Sequence, residues 1–163
     1  MSELVILVVE DEPEVRAAIV GDLAPFTGTI RVDEAGDVED ALAALAEADS
    51  AGDRVGLILA DHRLPGRSGV DLLVSLHREP ATRPIRKVLI TGQAGHGDTI
   101  RAINDAGLDK YIPKPWDPAD LQAIAVEQLT DYVIEAGLDP LTYLKVLDGP
   151  RLLESFSRIG HSD

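Results

Sequence analysis

Apolar residues fall along this chain in short unbroken blocks, separated by stretches in which they recur at helical spacing. Residues 4–9 read LVILVV, and Val55, Leu57, Ile58 and Leu59 make a second block. KVLIT at 87–91 is a third, and Leu108 to Ile112 make a short last one. Apolar runs of this length, bounded by turn residues, predict strands covered on both faces, as in a parallel sheet. Residues 29–34 alternate, with Ile30 and Val32 on one side, and predict a further strand.

The intervening stretches predict helices. Pro13 suits a first turn and is followed by Val15, Ala18, Ile19 and Leu23 up to Pro25. Asp37 caps a helix with Val38, Ala41, Leu42 and Leu45 inside, which gives way to a polar linker at 48–53. Arg67 or Ser68 opens a third, with Val70, Leu73, Val74 and Leu76 inward, closing before Pro80. Asp98 caps a fourth, containing Ile100 and Ile103 and stopped by Gly107. Asp117-Pro118 opens a long fifth, with Leu121, Ile124, Ala125, Gln128 and Leu129 on one side. Five strand–helix alternations predict an α/β doubly wound parallel sheet with helices on both faces.

Such sheets build their sites at the carboxyl ends of the strands. Four ends here carry reactive groups: Glu10-Asp11-Glu12 after the first strand, Asp61 after the third, Thr91 after the fourth and Lys114 after the fifth. Adjacent acids at a buried strand end repel one another unless a cation sits among them. Asp61 stands by itself as a candidate nucleophile. His62 beside it points the other way if strand geometry persists, which favours a structural role. His77, His96 and His161 lack the paired spacing of a zinc site. The loop Gly92-Gln93-Ala94-Gly95-His96-Gly97 is glycine-rich and expected to be mobile.

Composition narrows the function. The 163 residues carry 29 acids against 15 bases, a net charge of -14, which argues against direct binding to nucleic acid. With only 4% aromatics, Leu, Val, Ile and Ala must fill the core. Without cysteine there is neither a disulfide framework nor a thiolate metal site. No stretch has membrane-spanning length and no signal-peptide pattern opens the sequence, so a cytoplasmic protein without membrane contact is expected.

Glu10-Asp11, Asp61 with Leu64-Pro65-Gly66 and Ser68-Gly69, Thr91, Tyr111 and Lys114-Pro115 together resemble the receiver domain of two-component response regulators, over roughly residues 3–130. The resemblance implies a flavodoxin-like (βα)5 sheet with strand order 2-1-3-4-5. It implies that Asp61 takes a phosphoryl group from a sensor histidine kinase or phosphotransfer protein. One Mg2+ would be held by Glu10, Asp11, Asp61 and the backbone carbonyl of Arg63. Lys114 and Thr91 would bind the phosphoryl oxygens, Thr91 and Tyr111 would form the switch, and the Lys114–Pro115 bond would be cis. Glu10 stands where the family usually has Asp, and its extra methylene implies a water-mediated contact. The implied output is a change of the face formed by the fourth helix, fifth strand and fifth helix, read by a downstream effector or output domain. The implied molecule is a phosphoacceptor that assists its own phosphorylation and dephosphorylation, not an independent enzyme.

Two other readings stay open: a small-molecule phosphatase or phosphotransferase with Asp61 as nucleophile, and a receiver-like module that binds without phosphorylation. The first would want a second acid two residues on, where Arg63 stands. Residues 131–163 form a separate helical extension to the receiver domain at 1–130. Leu141, Leu144, Val146 and Leu147 would lie in one short helix and Leu152, Leu153, Phe156 and Ile159 in another. These apolar residues are expected to pack on the domain, to form a homodimer, or to lead to an output module.

Overall fold

The computed structural model describes residues 2–92 and 96–160. Five parallel strands, β1 (Leu4–Val9), β2 (Arg31–Ala35), β3 (Arg54–Ala60), β4 (Arg86–Ile90) and β5 (Lys110–Ile112), form one sheet in the order 2-1-3-4-5. Helices α1 (Pro13–Asp22), α2 (Val38–Ser50), α3 (Gly69–Arg78), α4 (His96–Asp105) and α5 (Pro118–Ala136) connect and follow the strands, and α6 (Gly149–Gly160) closes the described chain.

Every residue of β1 is buried, as is all of β3 after Arg54, which is why these runs read as continuously apolar. Alternate residues feed two cores. Ile6, Val8, Leu57 and Leu59 face α1 and α5, where they meet Ile19, Leu121, Ala125 and Leu129. Leu7, Val9, Ile58 and Ala60 face α2 and α3, where they meet Ala41, Val70 and Leu73.

Element ends differ from the sequence pattern where tertiary contacts intervene. β2 starts at Arg31, two residues later than the alternation implies, because the amides of Thr29 and Ile30 both bond back to the carbonyl of Phe26. α2 runs through Ser50 and absorbs part of the polar linker. α5 continues past Thr130 to Ala136 and stops at Gly137, whose φ of 68° is the left-handed conformation that glycine tolerates. Tyr132 lies on the sheet where β3 carries Gly56: a Cβ there would come within 2.9 Å of the Tyr132 ring.

A 3-10 turn (Pro140–Tyr143) and α6 fold back on α5. Tyr143, Leu147 and Leu152 join the α1–α5 core, Asp148 N–H bonds Thr130 Oγ1 at 3.1 Å, and Arg151 pairs with Asp131 at 2.5 Å. Of the three fates open to the extension's apolar residues, packing accounts for these, while Leu141, Leu153 and Phe156 stay exposed. Part of the glycine-rich loop, and the side chain of Asp98, lie outside the described residues.

Candidate functional site

Register brings the reactive strand ends into line. Val9 pairs with Ala60 and with Ala35, and Ile90 pairs with Ile112. The ladder continues one residue beyond the strands: Glu10 N–H bonds Ala35 O, Asp61 N–H bonds Val9 O and Thr91 N–H bonds Ile112 O, each at 3.0 Å. Glu10, Asp61 and Thr91 therefore leave the same edge of the sheet from neighbouring strands, all three buried, and Lys114 arrives from beyond β5.

The side chains converge. Carboxylate oxygens of Glu10, Asp11 and Asp61 lie within 4.8 Å of one another. Lys114 Nζ reaches into the group, 2.7 Å from Glu10 Oε1 and 3.3 Å from Asp61 Oδ2. The other Glu10 oxygen accepts from the Asp11 amide at 3.0 Å. Burial pushes the Glu10 carboxyl up to about 7, against the hydrogen bond from Lys114 and with the help of the Asp61 charge. Burial also opposes the charge on Lys114, but Glu10 and Asp61 outweigh it and hold the ammonium above its ordinary range.

Asp61 Oδ1 is buried and has no hydrogen-bond partner among the described residues. A buried carboxylate oxygen without a partner is costly. Three carboxylates, one with a buried oxygen that no hydrogen bond engages, suit a hard divalent ion such as Mg2+, which takes oxygen ligands and retains water. Arg63 lies two residues beyond Asp61 in the loop before α3, with its side chain exposed.

The local backbone is built to keep Asp61 still. Ser68 caps α3 by accepting from Asp71 N–H at 3.1 Å, and Asp71 accepts in return from Ser68 N–H at 3.4 Å. Gly69 packs so tightly that a Cβ would fall 1.9 Å from the Asp61 carbonyl oxygen, which accounts for glycine at this position. On the other side Arg16 of α1 bonds the Glu10 carbonyl at 2.8 Å and Glu34 at 3.2 Å, bracing the β1–α1 loop against β2. Trp116 Nε1 bonds Asp22 at 2.7 Å and fixes the start of α5 to α1. Arg16 carries no motif, and only the folded register discloses its role.

Tyr111 is half-buried, and its hydroxyl donates to the carbonyl of Thr91 at 2.8 Å. The Lys114–Pro115 peptide bond is cis. His62 is half-buried beside the site, while His77 packs on Gly107 away from it.

A parallel α/β sheet in the order 2-1-3-4-5, with an acid cluster, a strand-end threonine and a lysine at its carboxyl edge, is the arrangement of a receiver-type domain. Residues 6–126 match the family model described as the response regulator receiver domain, and the chain belongs to that family. It is 33% identical over 160 residues to the phosphate regulon transcriptional regulatory protein PhoB of Escherichia coli (strain K12), covering 91% of this chain and 66% of that protein. It is also similar to a response regulator receiver domain protein from Methanospirillum hungatei JF-1, at 29% identity and a TM-score of 0.69, covering 82% and 99% of the two chains. The receiver domain of a sensor histidine kinase from Pseudomonas aeruginosa PAO1 matches at 27% identity and a TM-score of 0.63, covering 79% and 98%, and that structure has magnesium coordinated in its active-site cleft. No helix among the described residues is long and apolar enough to cross a membrane.

Proposed function

We propose that this receiver domain accepts a phosphoryl group on Asp61 from a phosphohistidine of a sensor kinase or phosphotransfer protein, in a Mg2+-dependent reaction. The observation that carries the reading is the position of Asp61. One of its oxygens is 3.3 Å from Lys114, and the other is buried with no hydrogen-bond partner among the described residues.

In the transfer a carboxylate oxygen of Asp61 forms the new bond to phosphorus as the P–N bond breaks, and the electron pair leaves with the imidazole nitrogen. Phosphoryl transfer asks the protein for position and charge neutralisation more than for covalent work. Asp61 is held in place by the Val9 ladder bond and by Gly69. Glu10, Asp11 and Asp61, with the Arg63 carbonyl, would hold the ion, which supplies positive charge to the phosphoryl oxygens. Lys114 supplies a second positive charge as a point-charge donor. The Thr91 hydroxyl binds a third oxygen, and its backbone carries the movement to Tyr111, which bonds the Thr91 carbonyl. The signal then appears on the face of α4, β5 and α5 for an effector or output domain to read.

The test is incubation with acetyl phosphate, with and without Mg2+, followed by intact mass. Trp116 fluorescence is followed on addition of beryllofluoride. A mass gain that needs Mg2+ and disappears in Asp61→Asn is expected. Labelling that survives Asp61→Asn would move the nucleophile elsewhere.

A further inference from the structure

The described residues also enclose a cleft of about 1020 Å3 that begins at the opposite edge of the sheet, where β3 and β4 start. α2 forms one wall, α3 and its loop to β4 form the other, and Tyr132 and Ala136 of α5 bound a third side. The floor is apolar: Leu42 and Leu45 are half-buried, and Val55, Leu76 and Ile85 are buried. The α3 wall is well fixed, because Thr82 Oγ1 bonds the carbonyl of Leu76 and Arg83 Nε bonds that of His77, both at 2.7 Å.

The rim carries Arg54, Arg67 and Arg78, all exposed. Elsewhere Arg16, Arg31, Arg86, Arg101, Arg151 and Arg158 each meet a carboxylate. The three rim arginines meet none among the described residues, and neither do Arg63 and Arg83, of which Arg83 is held by the carbonyls of His77 and Arg78, in a chain with 29 acids to 15 bases. Of the acids lining the cleft, Asp53 is taken by Arg31 at 2.7 Å and Glu135 by Arg86 at 3.5 Å, which leaves Asp49 and Glu79. Uncommitted guanidinium groups thus exceed uncommitted carboxylates here, against the sign of the whole molecule. Guanidinium is the side chain best shaped to grip a carboxylate or sulfonate in two places.

We propose that this cleft binds a small amphiphilic organic anion, its apolar body laid on Leu42, Leu45, Leu76 and Ile85 and its anionic head held by Arg54 and Arg78, at the start of β3 and the end of α3. An apolar floor with a few polar groups at one margin is the usual make-up of a small-molecule site, and a basin bounded on three sides suits a compact ligand better than a passing helix. The site is separate from the phosphoacceptor cluster and does not depend on its chemistry.

The experiment titrates the full chain with anilinonaphthalene sulfonate, reads fluorescence, and competes the probe with decanoate. Arg54→Gln/Arg78→Gln and Leu45→Glu alter the cleft, while Leu153→Ser/Phe156→Ser removes the exposed apolar surface of α6. Circular dichroism verifies folding of each. The expected result is one saturable site displaced by decanoate, weakened about tenfold by the arginine pair, abolished by Leu45→Glu and unchanged by the α6 pair. Absence of saturation, indifference to the arginine pair, or loss with the α6 pair would each overturn the proposal. So would displacement by a polyglutamate peptide but not by decanoate, which assigns the cleft to an acidic polypeptide. Sedimentation showing a dimer that the probe dissociates would overturn it as well, by assigning the cleft to a second copy of the chain.

Discussion

Lys114 Nζ lies 2.7 Å from Glu10 Oε1, joining residues 104 positions apart at the centre of the acid cluster. Glu10 is fully buried, so the pair is not a surface ornament. Removing one partner of a buried pair leaves an uncompensated charge. Glu10 has an escape, because its carboxyl is already pushed up to about 7 and takes a proton readily. In Mg2+-free buffer Lys114→Met is therefore expected to lose about 2 kcal/mol in urea denaturation at about pH 8, and less at about pH 6, where protonation relieves the charge. A loss independent of pH would mean that the pair is held by packing and not by charge.

Gly69 makes the strictest steric demand near the site, since a methyl group there would stand 1.9 Å from the Asp61 carbonyl oxygen. The neighbour is backbone and cannot rotate away. Gly69→Ala is expected to cost about 3 kcal/mol or more and to displace Asp61, reducing acetyl phosphate labelling beyond the loss of folded protein. Wild-type labelling at full occupancy would show that the loop yields without moving the carboxylate.

The sheet was legible in the sequence because a strand buried on both faces must be apolar throughout, as Val5 to Val9 and Leu57 to Ala60 are. Once the strands are parallel, their reactive ends share an edge, so Glu10, Asp61, Thr91 and Lys114 could be grouped before any contact was known. What stayed hidden depends on distant partners. Nothing local to Arg16 says that it grips the Glu10 carbonyl, and nothing near Tyr111 says that its hydroxyl finds the Thr91 carbonyl. Helix ends were blurred for the same reason: Asp131 looks like the start of a tail, yet Tyr132 against Gly56 and Val133 in the core carry α5 onward to Ala136.

The extension beyond α5 contains both buried and exposed apolar residues, and they should behave differently. Leu152 is 0% exposed in the core shared with α1 and α5, whereas Phe156 on the same helix is 47% exposed. Leu152→Ala is expected to cost about 2–4 kcal/mol in urea denaturation. Phe156→Ser should change stability by less than about 0.5 kcal/mol. A truncation after residue 130 removes Tyr132 and Val133 as well and should cost more than Leu152→Ala. Full stability in that truncated chain would make the extension an accessory and not part of the core.

Lys87 is 1% exposed, and its ammonium donates to the carbonyls of Arg83 at 2.9 Å and Ile85 at 2.8 Å. Burial brings its pKa down from 10.5 to about 8, with Asp109 opposing and the charges of Arg86 and Arg83 adding to the fall. Between these two values the unfolded chain binds more protons at this residue than the folded one, so folding stability gains as pH rises through the window. The gain from this group is about 3 kcal/mol at most. Lys87→Met lacks the titration, so the stability difference, wild type minus variant, should climb from about pH 8 to about pH 10. Other titrating groups, Tyr143 included, are common to both proteins and cancel in that difference. Parallel curves across the window would show that the amine keeps its proton in the folded state, held by the two carbonyls strongly enough to offset its burial.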